Sequence, residues 1–132
     1  MITIGEFIKI LISEEPQTGD GFDEILKDAR KAGWIEEQDI LGRDEELDRR
    51  TAARILHMYR KQVLGISDVP DISAAYYVKD LFDCRVCANH IAQIILQGVM
   101  EPVKVGDMVI FDVYKTLTDK EARDYISKAE MC

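Results

Sequence analysis

The sequence contains few cysteines and a deficit of basic residues, and each shortage excludes a class of protein. Three Cys in 132 residues are too few for the disulfide framework of a small secreted scaffold. Lys and Arg number 17 against 25 Asp and Glu, so the net charge is -8. Nucleic-acid binders draw much of their affinity from neutralising phosphates, and this balance therefore argues against DNA or RNA as a partner.

Long apolar runs are also missing. The longest apolar stretches, such as 91–96, fall far short of the roughly 20 residues that a transmembrane helix needs, so membrane insertion is not predicted. The N-terminus carries Glu6 and one early lysine, Lys9, without the basic region that opens a signal peptide. These features predict a cytoplasmic protein, or a cell-surface one if the chain is a fragment of a longer exported protein.

The apolar residues that are present follow helical spacing. They make up 47% of the chain, which is typical of one compact domain over 1–132. Thr3 and Glu6 form a capping box ahead of an apolar stripe over 4–12, and Thr118 and Glu121 form another near the C-terminus. Other helices are predicted from 22 to a C′ glycine at Gly33, from a cap at Asp48 to Gly65, and over 73–97 as one helix or two. Loops are predicted over 14–21 and 36–46, and a short extended segment near 108–113.

Three of these helices open in the same way. An aliphatic residue precedes a capping residue at Thr3, Asp48 and Thr118, and a helical apolar stripe follows each cap. Such self-similarity predicts an internal repeat. The repeat-like units cover about 1–15 (a partial unit), 20–65 and 66–130, and the last contains an insertion at about 78–90.

The order of these motifs resembles the S-layer homology domain of bacterial surface proteins. The likeness rests on Ala-Gly-Trp-Ile at 32–35, Leu-Asp-Arg-Arg-Thr-Ala-Ala at 47–53 and Ile-Ser-Asp-Val-Pro at 66–70. The resemblance implies an all-α fold of tandem helix–loop–helix repeats around a pseudo-threefold axis. It also implies binding of acidic bacterial cell-wall polysaccharide in the grooves between repeats. The family's anion-binding Arg is matched by Arg49, whereas Ile4 and Asp119 occupy the corresponding positions, so at most one groove is expected to bind.

A basic stripe follows Arg49 along the same predicted helix. Arg50, Arg54, His57 and Lys61 recur at helical spacing. This pattern is typical of a solvated helix face, and it also suits a local anion site, because the planar guanidinium bonds carboxylates bidentately. Asp68 could bond sugar hydroxyls or serve as a turn residue. The predicted glycan and anion site therefore consists of Arg49, Arg50, Arg54 and Asp68.

Cys84, Cys87 and His90 form a second constellation. Their spacing of three residues places them on one face of a helix. They could bind Zn²⁺ with His57 or Cys132 as the fourth ligand, form a redox-active disulfide, or be buried as small apolar side chains. A structural zinc site usually has a second separated ligand pair, which is missing here, so no metal or other cofactor is favoured.

No catalytic motif is present, and the chain is not predicted to be an enzyme. It lacks a Gly-rich phosphate loop, His-Glu-x-x-His and Gly-x-Ser-x-Gly, and Trp34 is expected to be a core anchor. The favoured function is a non-catalytic module that binds acidic cell-wall polysaccharide. The alternatives are a cytoplasmic protein-interaction module that kept the fold and lost glycan binding, and a zinc or thiol-redox protein. The oligomeric state is left open.

Overall fold

The computed structural model describes residues 1–12 and 21–131, and these ranges are rich in helix. Part of the predicted loop over 14–21, and Cys132, lie outside them. None of the described helices is both long and apolar enough to cross a membrane. The elements, in chain order, are α1 (Ile4–Ile12), α2 (Gly21–Ala32), α3 (Glu37–Leu41), α4 (Arg49–Gln62), a 3-10 turn (Ser73–Ala75), α5 (Ala88–Leu96), β1 (Val103–Val105), β2 (Met108–Ile110) and α6 (Asp119–Glu130).

The helices with clear start signals lie where the sequence predicts them. In α1 the Thr3 amide donates to Glu6 over 3.0 Å, and the Glu6 amide donates to the Thr3 hydroxyl over 3.1 Å. Thr118 and Glu121 form the same capping box at the start of α6. Gly33 ends α2 with a φ of 89°, the left-handed conformation expected of a C′ glycine. Both predicted capping boxes and this helix end are confirmed.

The chain is helix-rich rather than wholly α-helical, because residues 103–110 form a β-hairpin. β1 and β2 pair antiparallel with Val103 opposite Ile110, and Gly106 takes a φ of 62° in the turn. Of the predicted extended segment near 108–113, Met108–Ile110 forms one strand of this hairpin, and 111–113 lies outside the strand. Its partner has only three residues, too few for the alternation that reveals a strand in a sequence.

The predicted helical stretch over 73–97 was wrong in its first half. Only the 3-10 turn and α5 are helical, and residues 76–87 form successive turns. Their polar groups bond to distant parts of the chain: the Lys79 amide donates to the Val109 carbonyl, and the Asp80 carboxylate accepts the amides of Phe111 and Asp112 at 2.6 and 2.8 Å. Long-range bonds of this kind override apolar spacing.

A short helix also occupies the predicted loop over 36–46. α3 has only five residues, and its start is fixed by Asp39, whose carboxylate accepts the Glu36 amide at 2.8 Å. Asp39 is 1% exposed. A buried carboxylate in a polar stretch needs a partner from elsewhere in the fold, and a local sequence pattern does not reveal one.

The segments that open α1, α4 and α6 lie side by side. The Leu47 amide donates to the Ile2 carbonyl, and the Leu117 amide donates to the Leu47 carbonyl, each over 3.0 Å. Isolated β-bridges join Thr3 to Glu46 and Asp48 to Thr116. The three aliphatic residues that precede the caps are buried together in the core.

The first-turn amides of α1 and α4 find acceptors at matching positions. In each helix the first two amides donate to backbone carbonyls of the segment that opens the next of these helices. The first amide donates to the carbonyl three residues before that helix's cap, and the second to the carbonyl five residues before it. The third amide donates to the helix's own capping side chain and the fourth to the capping carbonyl. All four amides that a helix start leaves unpaired are thereby satisfied. The bonds between segments run from Ile4 to Glu45, Gly5 to Arg43, Arg49 to Lys115 and Arg50 to Val113.

α4 lies at the centre of the fold and packs against α5 and α6. Its buried face includes two arginines, Arg49 and Arg60, beside the aliphatic core. Trp34 is 4% exposed and meets the ring of Tyr59 edge-on, with centroids 5.1 Å apart. The prediction that Trp34 anchors the core is confirmed.

We expect Asp80→Ala to lower the free energy of unfolding by about 2–3 kcal/mol, because the amides of Phe111 and Asp112 lose a charged acceptor. Urea unfolding followed by circular dichroism measures this. Asp83→Ala is the matched control, since Asp83 is exposed and only its backbone is hydrogen-bonded; it should change stability by less than about 0.5 kcal/mol. Equal stability of the two variants would contradict the role given to Asp80.

Candidate functional site

The capping of α4 positions the predicted basic residues. The Asp48 carboxylate accepts the Thr51 amide at 2.9 Å, which fixes where the helix begins. Arg49 then falls on the buried face, in helical register with Ala52, Ala53 and Leu56. Arg50 and Arg54 lie on a different face. The spacing of Arg49 from those apolar residues is a signal that could have indicated its burial.

Arg49 is 3% exposed and its guanidinium bonds within the protein. Nε donates to the Phe111 carbonyl at 2.6 Å, Nη1 to the Tyr125 hydroxyl at 3.0 Å and Nη2 to the Glu101 carbonyl at 2.7 Å. The guanidinium also stacks 4.5 Å from the Phe111 ring centroid. In this arrangement Arg49 ties α4 to the segments before α6, and it lines neither of the two grooves described below. Its predicted role in anion binding stays a prediction.

Arg54 is held by two acidic residues of the α3 region. Its Nη1 and Nη2 donate to the two oxygens of Asp39 at 2.8 and 2.6 Å, and Nη1 lies 3.1 Å from Glu36. Burial lowers the pKa of Arg54, but hydrogen bonding to Asp39 and the charges of Asp39 and Glu36 outweigh it, so the pKa is raised. Arg54 stays charged, and its charge is balanced by these carboxylates.

Arg50 is more accessible than Arg54, with 39% of its side chain exposed. Nε donates to Asp48 at 3.2 Å, and the guanidinium lies 4.8 Å from the ring centroid of Tyr114, which is itself exposed. Among the described residues, its two terminal nitrogens donate to no partner. Arg50 can therefore offer two N–H groups in one plane to a carboxylate.

Three residues far apart in sequence form a hydrogen-bonded chain behind these arginines. His57 Nε2 lies 2.7 Å from Asp68 Oδ1, and His57 Nδ1 lies 2.7 Å from His90 Nδ1. Lys61 approaches the other Asp68 oxygen at 3.3 Å. His57 is 2% exposed, so the predicted solvated helix face does not extend to it. All four residues were candidates from the sequence, but the contact between Asp68 and His57 was not predicted.

The charge state of Asp68 assigns the proton positions in this chain. Burial raises the pKa of Asp68, but the hydrogen bond and charge of His57, with those of Lys61, lower it overall. An ionised carboxylate only accepts, so His57 Nε2 carries a hydrogen. When His57 carries no charge, its Nδ1 atom is an acceptor, and His90 Nδ1–H donates to it. In that state His90 Nε2 is an acceptor.

Cys84 and Cys87 are joined by a disulfide. Cys87 caps α5 and is 7% exposed, whereas Cys84 is partly buried against the core. In the described ranges no group of three or more His, Cys, Asp or Glu side chains is arranged to hold a metal ion. Of the alternatives left open by the sequence, the disulfide is the one present here, and Cys132 lies outside the described residues.

A groove of about 570 Å³ brings the two predicted constellations together. Arg50 and Arg54 line it from α4, and Cys87 and His90 line it from the start of α5. Arg49, Asp68 and Cys84 are not among its lining residues. The acidic and amide side chains of this groove come from the α3 region and were not predicted as site residues. The pairing of Glu36 with Asp39 in a capping box was the available signal. The remaining lining residues are Ile4, Glu36, Gln38, Asp39, Glu45, Thr51 and Val86.

A second hollow, of about 840 Å³, lies between α2 and α3. It contains none of the predicted site residues. Arg30, one of its cations, is paired with Glu37 at 3.1 Å. The groove beside α4 is therefore the better candidate, because it combines an accessible guanidinium, an imidazole acceptor and a disulfide.

The His90 ring makes stability depend on pH. Burial, followed by the nearby charges of His57 and Arg54, lowers the pKa of His90 from 6.5 to about 4. The unfolded chain therefore binds more protons than the folded chain between these values, and stability falls as the pH drops through this window. Above pH 6.5 the contribution is fully present.

We expect wild-type protein to lose about 1–2 kcal/mol more stability than His90→Gln between pH 7 and pH 4.5, allowing for the partial exposure of the ring. Gln keeps an N–H donor for His57 but does not titrate. Urea unfolding at a series of pH values measures the difference. Parallel curves for the two proteins would show that His90 is not held neutral by the fold.

Comparisons with known proteins do not assign the chain to a family. No protein-family model matches the chain, and no curated protein matches it either. The functional assignment therefore depends on the groove itself and on the segments that build it.

Proposed function

We propose that this protein is a binding module with S-layer-homology-like repeats that takes an acidic oligosaccharide in the groove beside α4. The observation that carries the ligand assignment is Arg50, an accessible guanidinium with two unengaged terminal nitrogens in the described structure, next to an exposed Tyr114. The proposed repeat units cover about 1–15, 20–65 and 66–130.

The repeat arrangement is supported by the hydrogen bonds between helix openings. The segments at Thr3, Asp48 and Thr118 adjoin one another, and the two junctions use donors and acceptors at the same offsets from their caps. A pseudo-threefold arrangement requires equivalent junctions of this kind. The inserted stretch, about 78–90, contributes Val86, Cys87 and His90 to the groove.

A carbohydrate ligand is supported by the mixture of groups at the groove. Arg50 can bond a carboxylate, while Gln38, Glu45 and neutral His90 offer acceptors or donors to hydroxyls. Tyr114 is not a lining residue, but it is exposed beside Arg50 and offers an aromatic ring on which a sugar can stack. The acidic lining residues disfavour a dense polyanion, so a sugar with isolated carboxylates matches better than a polyphosphate.

A single groove is proposed. The positions that correspond to Arg49 in the other two units are Ile4 and Asp119. Ile4 has no charge for an anion, and Asp119 repels one. Arg49 itself contributes by holding the start of α4, and Arg50, its neighbour, makes the contact with the ligand.

We expect Arg50→Ala to weaken binding of a carboxylate-bearing bacterial cell-wall polysaccharide about tenfold or more, because a charge-assisted bidentate contact is lost. Isothermal titration calorimetry with the purified polysaccharide measures this. Lys104→Ala is the matched control, since Lys104 is an exposed cation on β1 outside the groove, and it should bind like the wild type.

The same polysaccharide with its carboxylates reduced to alcohols tests the ligand class. Weak binding of the reduced polymer by the wild type is expected. Equal affinity for both polymers, or for Arg50→Ala and wild type, would overturn the role of the carboxylate. No measurable binding of the native polymer would overturn the glycan proposal and favour a protein-interaction module.

A further inference from the structure

The Cys84–Cys87 disulfide lies where a dissolved thiol can reach it. The residues between the two cysteines are exposed, with Val86 86% exposed, and Cys84 is the less buried of the two. An incoming thiolate therefore meets Cys84 first. Cys87, as the residue that caps α5, would leave at the positive end of that helix, which stabilises a thiolate.

A proton acceptor stands one helical turn from Cys87. His90 lines the same groove as Cys87, and while His57 is uncharged, His90 Nδ1–H bonds His57 and His90 Nε2 carries a lone pair. When Nε2 takes up a proton, Nδ1–H can pass to His57 Nδ1. The positive charge then lies on His57, whose Nε2–H already bonds the Asp68 carboxylate at 2.7 Å.

Through these hydrogen bonds His90 can accept a proton at Nε2 while the positive charge moves to His57. A cationic His90 is opposed by burial and by the charges of Arg54 and Lys61, as its low pKa of about 4 reflects. His57 Nε2 lies 2.7 Å from the Asp68 carboxylate, whose negative charge attracts a proton that is moved onto His57.

We infer that Cys84 and Cys87 form a thiol–disulfide exchange site for a dithiol, served by the proton relay from His90 through His57 to Asp68. Both proposals use His90, but disulfide exchange needs no sugar, so this inference does not depend on the glycan proposal. On this inference the proposed insertion at about 78–90 carries thiol–disulfide exchange.

The exchange balances in two steps. One thiol of the dithiol gives its proton to His90 Nε2, and its sulfur attacks Cys84, forming a mixed disulfide. The Cys84–Cys87 bond breaks, and its electron pair leaves on Cys87, which takes the proton back from His90. The second thiol then attacks the sulfur of the first and releases Cys84 as a thiol. The dithiol is oxidised to a disulfide, and the protein disulfide is reduced to two thiols.

The test measures reduction of the oxidised full chain by dithiothreitol between pH 5.5 and 8. Samples are acid-quenched, alkylated and weighed by mass spectrometry, with Cys132→Ser in every protein so that only the pair is counted. Uncatalysed exchange slows about tenfold per pH unit below the thiol pKa, because only the thiolate attacks. With the relay, we expect a shallower pH dependence in the wild type.

The relay variants are His90→Gln and Asp68→Asn, both of which retain hydrogen bonding to His57. Each should react about tenfold or more slowly than wild type at pH 6 and return to the steep pH dependence. Asn89→Ala, an exposed neighbour on α5, should behave like the wild type. Equal rates and pH slopes for wild type and both relay variants would overturn the relay. A wild-type rate no faster than that of an oxidised Cys-Arg-Val-Cys peptide would make the disulfide a structural staple only.

Discussion

Backbone amides at the start of α1 and α4 have to find acceptors outside their own helices. This requirement determines how the segments that open the helices lie relative to one another. Caps satisfy two amides of each helix, and the carbonyls of the next opening segment satisfy the other two. The opening segments must therefore lie beside one another in chain order. Once they do, the first turns of α4 and the residues of the α3 region come together, and the groove forms between them.

Within that frame, neighbouring arginines on α4 have opposite surroundings. Arg49 points into the core and bonds two carbonyls and a phenol, while Arg50 faces the groove with a third of its side chain or more exposed. Arg54 lies between these extremes, accessible in part but neutralised by Asp39. Burial and partner choice, rather than residue type, decide which guanidinium is available to a ligand. Cys87 and His90, which line the same groove, belong to the proposed exchange site.

Sequence patterns predicted the parts of this structure that local interactions determine. The capping boxes at Thr3 and Thr118 and the C′ glycine at Gly33 are local, and each is present. The turns over 76–87 and the short α3 escaped prediction because distant partners fix them. At the site, the candidate residues were identified, but their grouping was not. His57, Asp68 and His90 are separated by up to 33 residues, and only the folded chain shows that they touch.

The two buried arginines of α4 carry a consequence for how the molecule opens. Arg49 near one end bonds carbonyls before α6, and Arg60 near the other bonds Gln97 and the Ala129 carbonyl. Local unfolding of α4 would break the hydrogen bonds of two buried arginines and leave their charges without acceptors. The free-energy cost is far larger than that of unfolding a helix whose polar residues are on the surface. The amide hydrogens at the middle of α4 should therefore exchange with solvent only when the whole domain unfolds, whereas α2, which contributes two side chains to the core, can exchange through smaller openings.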